Sequence, residues 1–302
     1  MSGSAAVSWA GADVLGGLQT LRAVQAIHGP LLDRFFIAVT MLGSEEFYLL
    51  IIPFLYWCVD RAFGRRLGQL FLFSAFVNVW LKGAFHTLRP PAGEVRVLFG
   101  ESGTGYAFPS GHAQSAATFW GYLALLRRRW WSAALAGTLI LLVAVSRLYL
   151  GVHWPIDVVG GMALGLLLAW VWARLGRRWD EELEAIIGPL RATASFLLPL
   201  LLLLVERSPD AVKAVGILSG FSGGAVLAEE WAPSFRVERW GHQLAKVLLG
   251  LPGLFLLRTG LKALFPETLL FDGVRYGLVG LWVGFIVPWL FAWVWPAASG
   301  GR

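Results

Sequence analysis

Three short segments of this sequence carry ionisable and polar residues at spacings suited to chemistry on an anion. The first is KGAFHTLRP, Lys82 to Pro90, where Lys82 and Arg89 stand seven residues apart, so both cations can leave one helix face toward one place. A Lys and an Arg flanking an apolar run also commonly snorkel, and that role stays open for the pair. The second is YAFPSGHAQSAATFW, Tyr106 to Trp120. Pro109 suits a helix start, Ser110 can cap it, and Gly111 admits close backbone approach to a ligand. The free amides of that helix start then form an anion site. His112 follows in the first turn, where an interfacial polar role competes with a catalytic one. The third is SRLYLGVHWPID, Ser146 to Asp157. Asp157 lies one helical turn beyond His153, so its carboxylate can hold one ring nitrogen and leave the other free as a nucleophile. Pro155 ends the preceding helix and begins the next. Arg147 adds a third cation, unless it is spent on a salt bridge to Asp157.

Together these residues meet one chemical need. A phosphoryl group in its transition state spreads negative charge over three equatorial oxygens, and catalysis is mainly positioning and charge stabilisation. Lys82, Arg89, Arg147 and the amides near Ser110 and Gly111 can supply both. His153 would attack in line, while His112 protonates the leaving oxygen and later activates water. The expectation is a site with no metal and no cofactor. The paired glutamates, Glu45 with Glu46 and Glu229 with Glu230, are adjacent and diverge on a helix.

The elements that must position these residues are membrane spans. Of 302 residues, 57% are hydrophobic and 15% charged, with 16 Trp and a mean hydropathy of +0.65, which argues against a water-soluble domain. The single cysteine, Cys58, lies in an apolar run and excludes an intramolecular disulfide. The net charge of +6 sits in short clusters at the ends of apolar runs, a distribution that fits membrane orientation and not nucleic acid.

Runs of the length a bilayer needs predict an all-α polytopic transmembrane bundle of about nine spans, eight to ten, near 46–60, 67–86, 110–126, 130–149, 155–176, 189–205, 211–229, 243–258 and 273–296. The sixth and eighth are short enough to be re-entrant or tilted. Helical spacing of apolar residues from Leu15 to Met41 predicts an N-terminal segment lying at the interface, or equally a helix packed over the spans. The first thirty residues lack the pattern of a cleaved secretory signal, since Asp13, Gln19 and Arg22 interrupt the apolar stretch.

Arginines orient the bundle. Arg61, Arg65 and Arg66, then Arg127 to Arg129, then Arg174, Arg177 and Arg178 occupy three connections that belong on the cytoplasmic side. The three chemical segments then face the periplasm or an extracellular space, and the membrane is expected to be the cytoplasmic (inner) one. The charged stretch RRWDEELE divides the chain, giving an N-terminal segment 1–44, a catalytic core 45–178 and a C-terminal extension 179–302 of about four helices. That extension contains Gly-rich packing text, GILSGFSGG, and a charged loop, EEWAPSFRVERWGHQ. A structural bundle, or a homo-oligomer through these spans, is the expectation there.

Lys82, Arg89 and Pro90, then Pro109, Ser110, Gly111 and His112, then Ser146, Arg147, His153 and Asp157 resemble, in type, spacing and order, the three-part signature of the type 2 phosphatidic acid phosphatase superfamily. The resemblance covers about residues 45–176. It implies a helical core, hydrolysis of a phosphomonoester or diphosphate, His153 as nucleophile and His112 as general acid, without metal. A site at the outer interface would let a head group enter sideways while the chains stay in the bilayer, so a lipid phosphate such as phosphatidate, a sphingoid phosphate or a polyprenyl diphosphate is expected as substrate. Phe85, His86, Tyr106 and Phe108 flank the pocket as head-group contacts or as interfacial anchors. The alternatives are a phosphatase of a small soluble phosphate ester, a lipid transporter or scaffold using the C-terminal spans, and a vanadate haloperoxidase. The resembled core has six spans, whereas five precede Arg178, so the N-terminal segment is a candidate for the sixth.

Overall fold

The computed structural model describes residues 17–232 and 240–294. Among them every regular element is helical: α1 (Gly17–Gln25), α2 (Pro30–Met41), α3 (Glu45–Phe54), α4 (Arg61–Phe85), α5 (Gly111–Arg127), α6 (Trp130–Tyr149), α7 (Pro155–Glu184), α8 (Gly188–Leu197), α9 (Pro209–Trp231), α10 (Trp240–Leu264), α11 (Leu269–Leu281) and α12 (Val287–Val294). The all-α expectation holds, and Pro155 does open α7.

The span count differs from the expected nine. Among the described residues six segments are long and apolar enough to cross a bilayer: α4, α6, residues 155–176 of α7, α9, α10, and α11 running on into α12. A seventh arises if α2 and residues 45–59, which meet at 47°, count as one bent span. The expected span 46–60 is interrupted because Pro53 lies inside α3 and a π-helical turn, Leu55–Val59, follows it. The expected span 110–126 is α5, a helix of 17 residues, about 25 Å long. The expected span 189–205 is α8 followed by the 3₁₀ segment Leu198–Leu204, which contains Pro199 and buries no residue. The end of the ninth expected span, at 295–296, lies outside the described residues, as do the first sixteen residues and positions 233–239 of the charged loop.

The chain forms two compact units. The first comprises residues 1–48 and 77–175. In it α5 packs on α6, while α1 and α2 cover α6 from another side. Val24, Phe36 and Ile37 lie on Tyr149, Leu150 and Val152, yet Leu31, Leu32 and Phe35 of α2, and Ile27 in the turn before it, remain exposed. One apolar face of the N-terminal segment is therefore packed and another is bare, as a segment bordering lipid requires. Helix α7 approaches α5 through glycines: a Cβ on Gly161 would sit 2.5 Å from the Ser110 carbonyl oxygen, and one on Gly165 the same distance from that of Gln114. Only hydrogen fits there, so the start of α5 is held against α7 backbone to backbone.

The second unit comprises residues 49–76 and 176–302. Helix α9 fills its centre, burying most of its length against α11. Glycines at 216, 220, 277 and 280 again allow the two backbones to touch. Two π-helical turns, Leu55–Val59 and Trp282–Ile286, are joined by side chains, with the Tyr56 hydroxyl donating to the Gly284 carbonyl at 2.8 Å and the Trp57 indole to that of Val283 at 2.8 Å. The lengthened turns free these carbonyls for partners outside their own helix.

Candidate active site

Helix α4 ends just after Lys82. His86 adopts a left-handed conformation, with φ of 50°, and its amide bonds the Lys82 carbonyl at 3.1 Å, which closes the helix. Pro90 and Pro91 then prevent its continuation. Arg89 consequently lies in the loop beyond α4, so the two cations do not leave one helix face as their spacing implied.

The turn after α4 instead swings Arg89 inward. Its Nε donates to the Gly105 carbonyl at 3.0 Å, and Nη2 to those of Thr104 at 2.7 Å and Tyr106 at 3.2 Å. Nη1 donates to the Val152 carbonyl at 2.6 Å and lies 3.1 Å from His153 Nε2. Four carbonyls thus fix the guanidinium against the imidazole. Burial pulls the Arg89 pKa down and the nearby Asp157 pushes it up, but a guanidinium stays charged throughout.

His153 is held from its other side. Its Nδ1 stands 3.4 Å from Asp157 Oδ2, a long contact, and the same carboxylate oxygen accepts the Trp154 amide at 2.8 Å. The loop that carries it is set by Gly151, whose φ of 70° turns the chain out of α6 and where a Cβ would meet the Arg96 carbonyl oxygen at 2.5 Å. Burial first, then the charges of Arg147, Arg89 and Lys82, hold the His153 pKa well below the usual 6.5. At neutral pH the ring is therefore uncharged. With Nδ1–H directed at Asp157, Nε2 carries the lone pair.

Arg147, near the end of α6, is fully buried. It does not pair with Asp157. Nη1 donates to Thr40 Oγ1 at 2.7 Å and Ser102 Oγ at 3.0 Å, and Nη2 to the Ser102 carbonyl at 2.7 Å, while Nε is buried without a partner. Ser110 occupies the N-cap position of α5, but its side chain makes no capping bond; the hydroxyl is buried and unpartnered, and the Ser110 amide donates to the Asp157 carbonyl at 2.9 Å. The close approach at Gly111 is to Asn78, whose Oδ1 lies 3.3 Å from where a Cβ would be. His112 is in the first turn of α5, within electrostatic reach of His153, as is Lys82. Among the described residues two buried donors, Arg147 Nε and Ser110 Oγ, have no acceptor, and Arg147, Arg89 and Lys82 all bear electrostatically on His153, so the site offers donors and positive charge to an anion.

The aromatic residues form two pairs. The Phe85 and Phe108 rings meet edge-on at 4.9 Å, and those of His86 and Tyr106 at 4.6 Å. Phe85 and Tyr106 are exposed. Among the described residues no three His, Cys, Asp or Glu side chains converge as a metal cluster would.

Residues 64–181 match the PAP2 superfamily, and residues 212–299 match the transmembrane extension of PAP2 superfamily phosphatases. Phosphatidylglycerophosphatase B of Bacillus subtilis is 31% identical over 54% of this chain and 82% of that protein. The chain belongs to the PAP2 superfamily. It is an integral membrane protein. Lipid phosphate phosphatase delta of Arabidopsis thaliana is 26% identical over 67% of this chain, and sphingosine-1-phosphate phosphatase 1 of mouse 24% over 84%. The chain spans about half the length of the plant relative, 51%, and 70% of the mouse one.

Around the PAP2 signature the structure adds residues that spacing did not reveal. Asn78 bonds Gln114 Oε1 at 2.7 Å and the Pro109 carbonyl at 3.2 Å, tying α4 to the start of α5. A signal existed, since Asn78 precedes Lys82 by one helical turn and Gln114 follows Ser110 by one. Thr87 holds the 106–108 strand of loop through its carbonyl to the Ala107 amide and its hydroxyl to the Phe108 amide. Thr40 and Ser102 reach Arg147 from 107 and 45 residues away, separations at which no local pattern operates.

Proposed function

We propose that the chain is a membrane phosphatase that hydrolyses a lipid phosphomonoester or diphosphate through a phosphohistidine. The observation that carries this reading is His153, buried and uncharged, held between Asp157 and Arg89 beside two buried donors without acceptors. His153 Nε2 attacks phosphorus, the bond to the leaving oxygen breaks, and His112, entering as the imidazolium once the bound phosphoryl anion offsets the surrounding cations, gives that oxygen a proton. Water then attacks the phosphohistidine, surrenders a proton to His112, and the phosphorus–nitrogen bond breaks to release inorganic phosphate. Lys82, Arg89, Arg147 and the Ser110–Gly111 helix start bind the phosphoryl oxygens. Phe85, His86, Tyr106 and Phe108 contact the head group from the rim.

A lipid substrate is supported by the relatives' names and by the apolar, lipid-bordering helices that carry the site. Arg61, Arg65 and Arg66 lie in the first turns of α4 and Arg174, Arg177 and Arg178 late in α7, with only Arg128 and Arg129 in a connection; these helix-end arginines support a site facing away from the cytoplasm, in the cytoplasmic membrane. We assign catalysis to residues 45–178 and a structural role, with self-association, to 179–302. Phosphate release by the detergent-solubilised protein from phosphatidate, phosphatidylglycerophosphate, sphingosine phosphate, undecaprenyl diphosphate and glucose 6-phosphate tests the reading. Release from glucose 6-phosphate alone would replace the lipid substrate with a soluble ester. Release from none would leave transport or scaffolding.

A further inference from the structure

Among the described residues Arg147 has no charged partner, although it is fully buried, and its position is set by residues outside its own segment. The most remote is Thr40, itself fully buried near the end of α2, whose Oγ1 accepts from Arg147 Nη1 at 2.7 Å. Thr40 lies outside residues 64–181 that match the superfamily. Helix α2 is in turn pinned to the end of α6. Asp33 receives both terminal nitrogens of Arg96 and, at 2.6 Å, the Tyr149 hydroxyl. Gln25, at the end of α1, holds the same loop to the same helix end, donating to the carbonyls of Arg96 at 2.7 Å and Tyr149 at 2.9 Å and accepting the Arg96 amide at 3.0 Å. Tyr149 is two residues from Arg147, and Arg96 belongs to the loop that also supplies Ser102.

We propose that Thr40 is a positioning residue for phosphate binding: α2, locked to the α6 end through Asp33, Arg96 and Tyr149, presents the Thr40 hydroxyl that aims the Arg147 guanidinium, and with it the unpartnered Nε, at the phosphoryl group. This rests on the phosphatase reading above. The physical basis is the two-dimensional character of a guanidinium. Its five donors lie in one plane, so the three bonds to Thr40 and Ser102 determine the direction of the two donors left, Nε–H and the second Nη2–H, and of these Nε has no acceptor at all among the described residues. Without Thr40 both terminal nitrogens depend on the two oxygens of Ser102, a half-buried loop residue, and the Nε direction is only as firm as that loop. The same contacts give the N-terminal segment a duty in the site beyond covering the bundle.

The test measures steady-state hydrolysis and the thermal stabilisation by orthovanadate, a phosphate mimic, for the full-length parent, Thr40→Val and Thr40→Ser. Val keeps the shape and removes the acceptor; Ser keeps the acceptor. The expected result is that Thr40→Val needs at least tenfold more vanadate for the same stabilisation and loses at least tenfold in kcat/KM, with its unliganded Tm close to the parent's. Thr40→Ser should restore both to within threefold. Arg147→Lys, which cannot form the planar fork, should show no further vanadate weakening when Thr40→Val is added. Equal vanadate response and kcat/KM in Thr40→Val and the parent would overturn the proposal, as would a loss that Ser does not rescue. A parent that neither hydrolyses any substrate nor responds to vanadate would sink the phosphatase reading itself, and this inference with it.

Discussion

At the scale of single residues, the account turns on an imidazole kept neutral among cations. Burial and the charges of Arg147, Arg89 and Lys82 lower the His153 pKa, so its lone pair persists where an ordinary histidine would already be half protonated. The acid limb of kcat/KM, which reports the free enzyme, should therefore fall below pH 6.5 and not at it. The sign for stability is the same. The unfolded chain takes up a proton below the usual value while the folded chain resists, so His153 makes the fold lose stability as pH drops through that window. Its share is at most about 1.4 kcal/mol per pH unit. A melting series from pH 7 to 5 on the parent and on His153→Gln checks it: the parent should lose more. Charge stabilisation by fixed side chains also makes a prediction about metals, since in the proposed site Lys82, Arg89 and Arg147 would neutralise the phosphoryl oxygens. Hydrolysis should survive EDTA, and a loss that magnesium restores would refute the three-cation cage. Replacing Arg89 by Lys should cost about 10²–10³ in kcat, the range typical of one oriented donor at a developing charge, because a lysine cannot hold four carbonyls and still face Nε2 of His153.

At the scale of elements, the site depends on how closely α7 lies on the start of α5. Gly161 has no room for a methyl group beside the Ser110 carbonyl. Gly161→Ala should shift the helix start that presents Ser110 and His112, lowering kcat at least tenfold; a variant with parental kcat would show that the contact does not set the site. The element scale also shows what sequence can convey. Local signals were readable: Pro155 opens α7, Ser110 and Gly111 stand at the start of α5, and His153 lies one turn before Asp157. The inference from spacing failed for Lys82 and Arg89, because the left-handed turn at His86 replaces the helix that spacing assumes. Span counting exceeds the six or seven segments found among the described residues because hydropathy does not register where a helix ends: α3, α5 and α8 stop at 10, 17 and 10 residues. Thr40 was invisible because a hydroxyl in an apolar helix has no pattern until Arg147 is placed beside it.

At the scale of the whole molecule, family membership and the membrane-integral character follow from the match of two segments and the apolar helices, while sidedness and substrate are the account's own predictions. Glu101 is exposed in the loop that supplies Ser102. In a Cys58→Ser background, Glu101→Cys should react with an impermeant maleimide in intact cells, and labelling only after lysis would reverse the orientation. The central claim is hydrolysis of a lipid phosphate at His153. Its most direct test is the rate of phosphate release from the lipid phosphate panel by the purified parent and by His153→Ala. The account predicts release from at least one lipid by the parent and a loss of about 10³-fold or more in the variant, the scale seen when a nucleophile is removed. Release by His153→Ala at the parent's rate, or no release by the parent from any lipid, would contradict it.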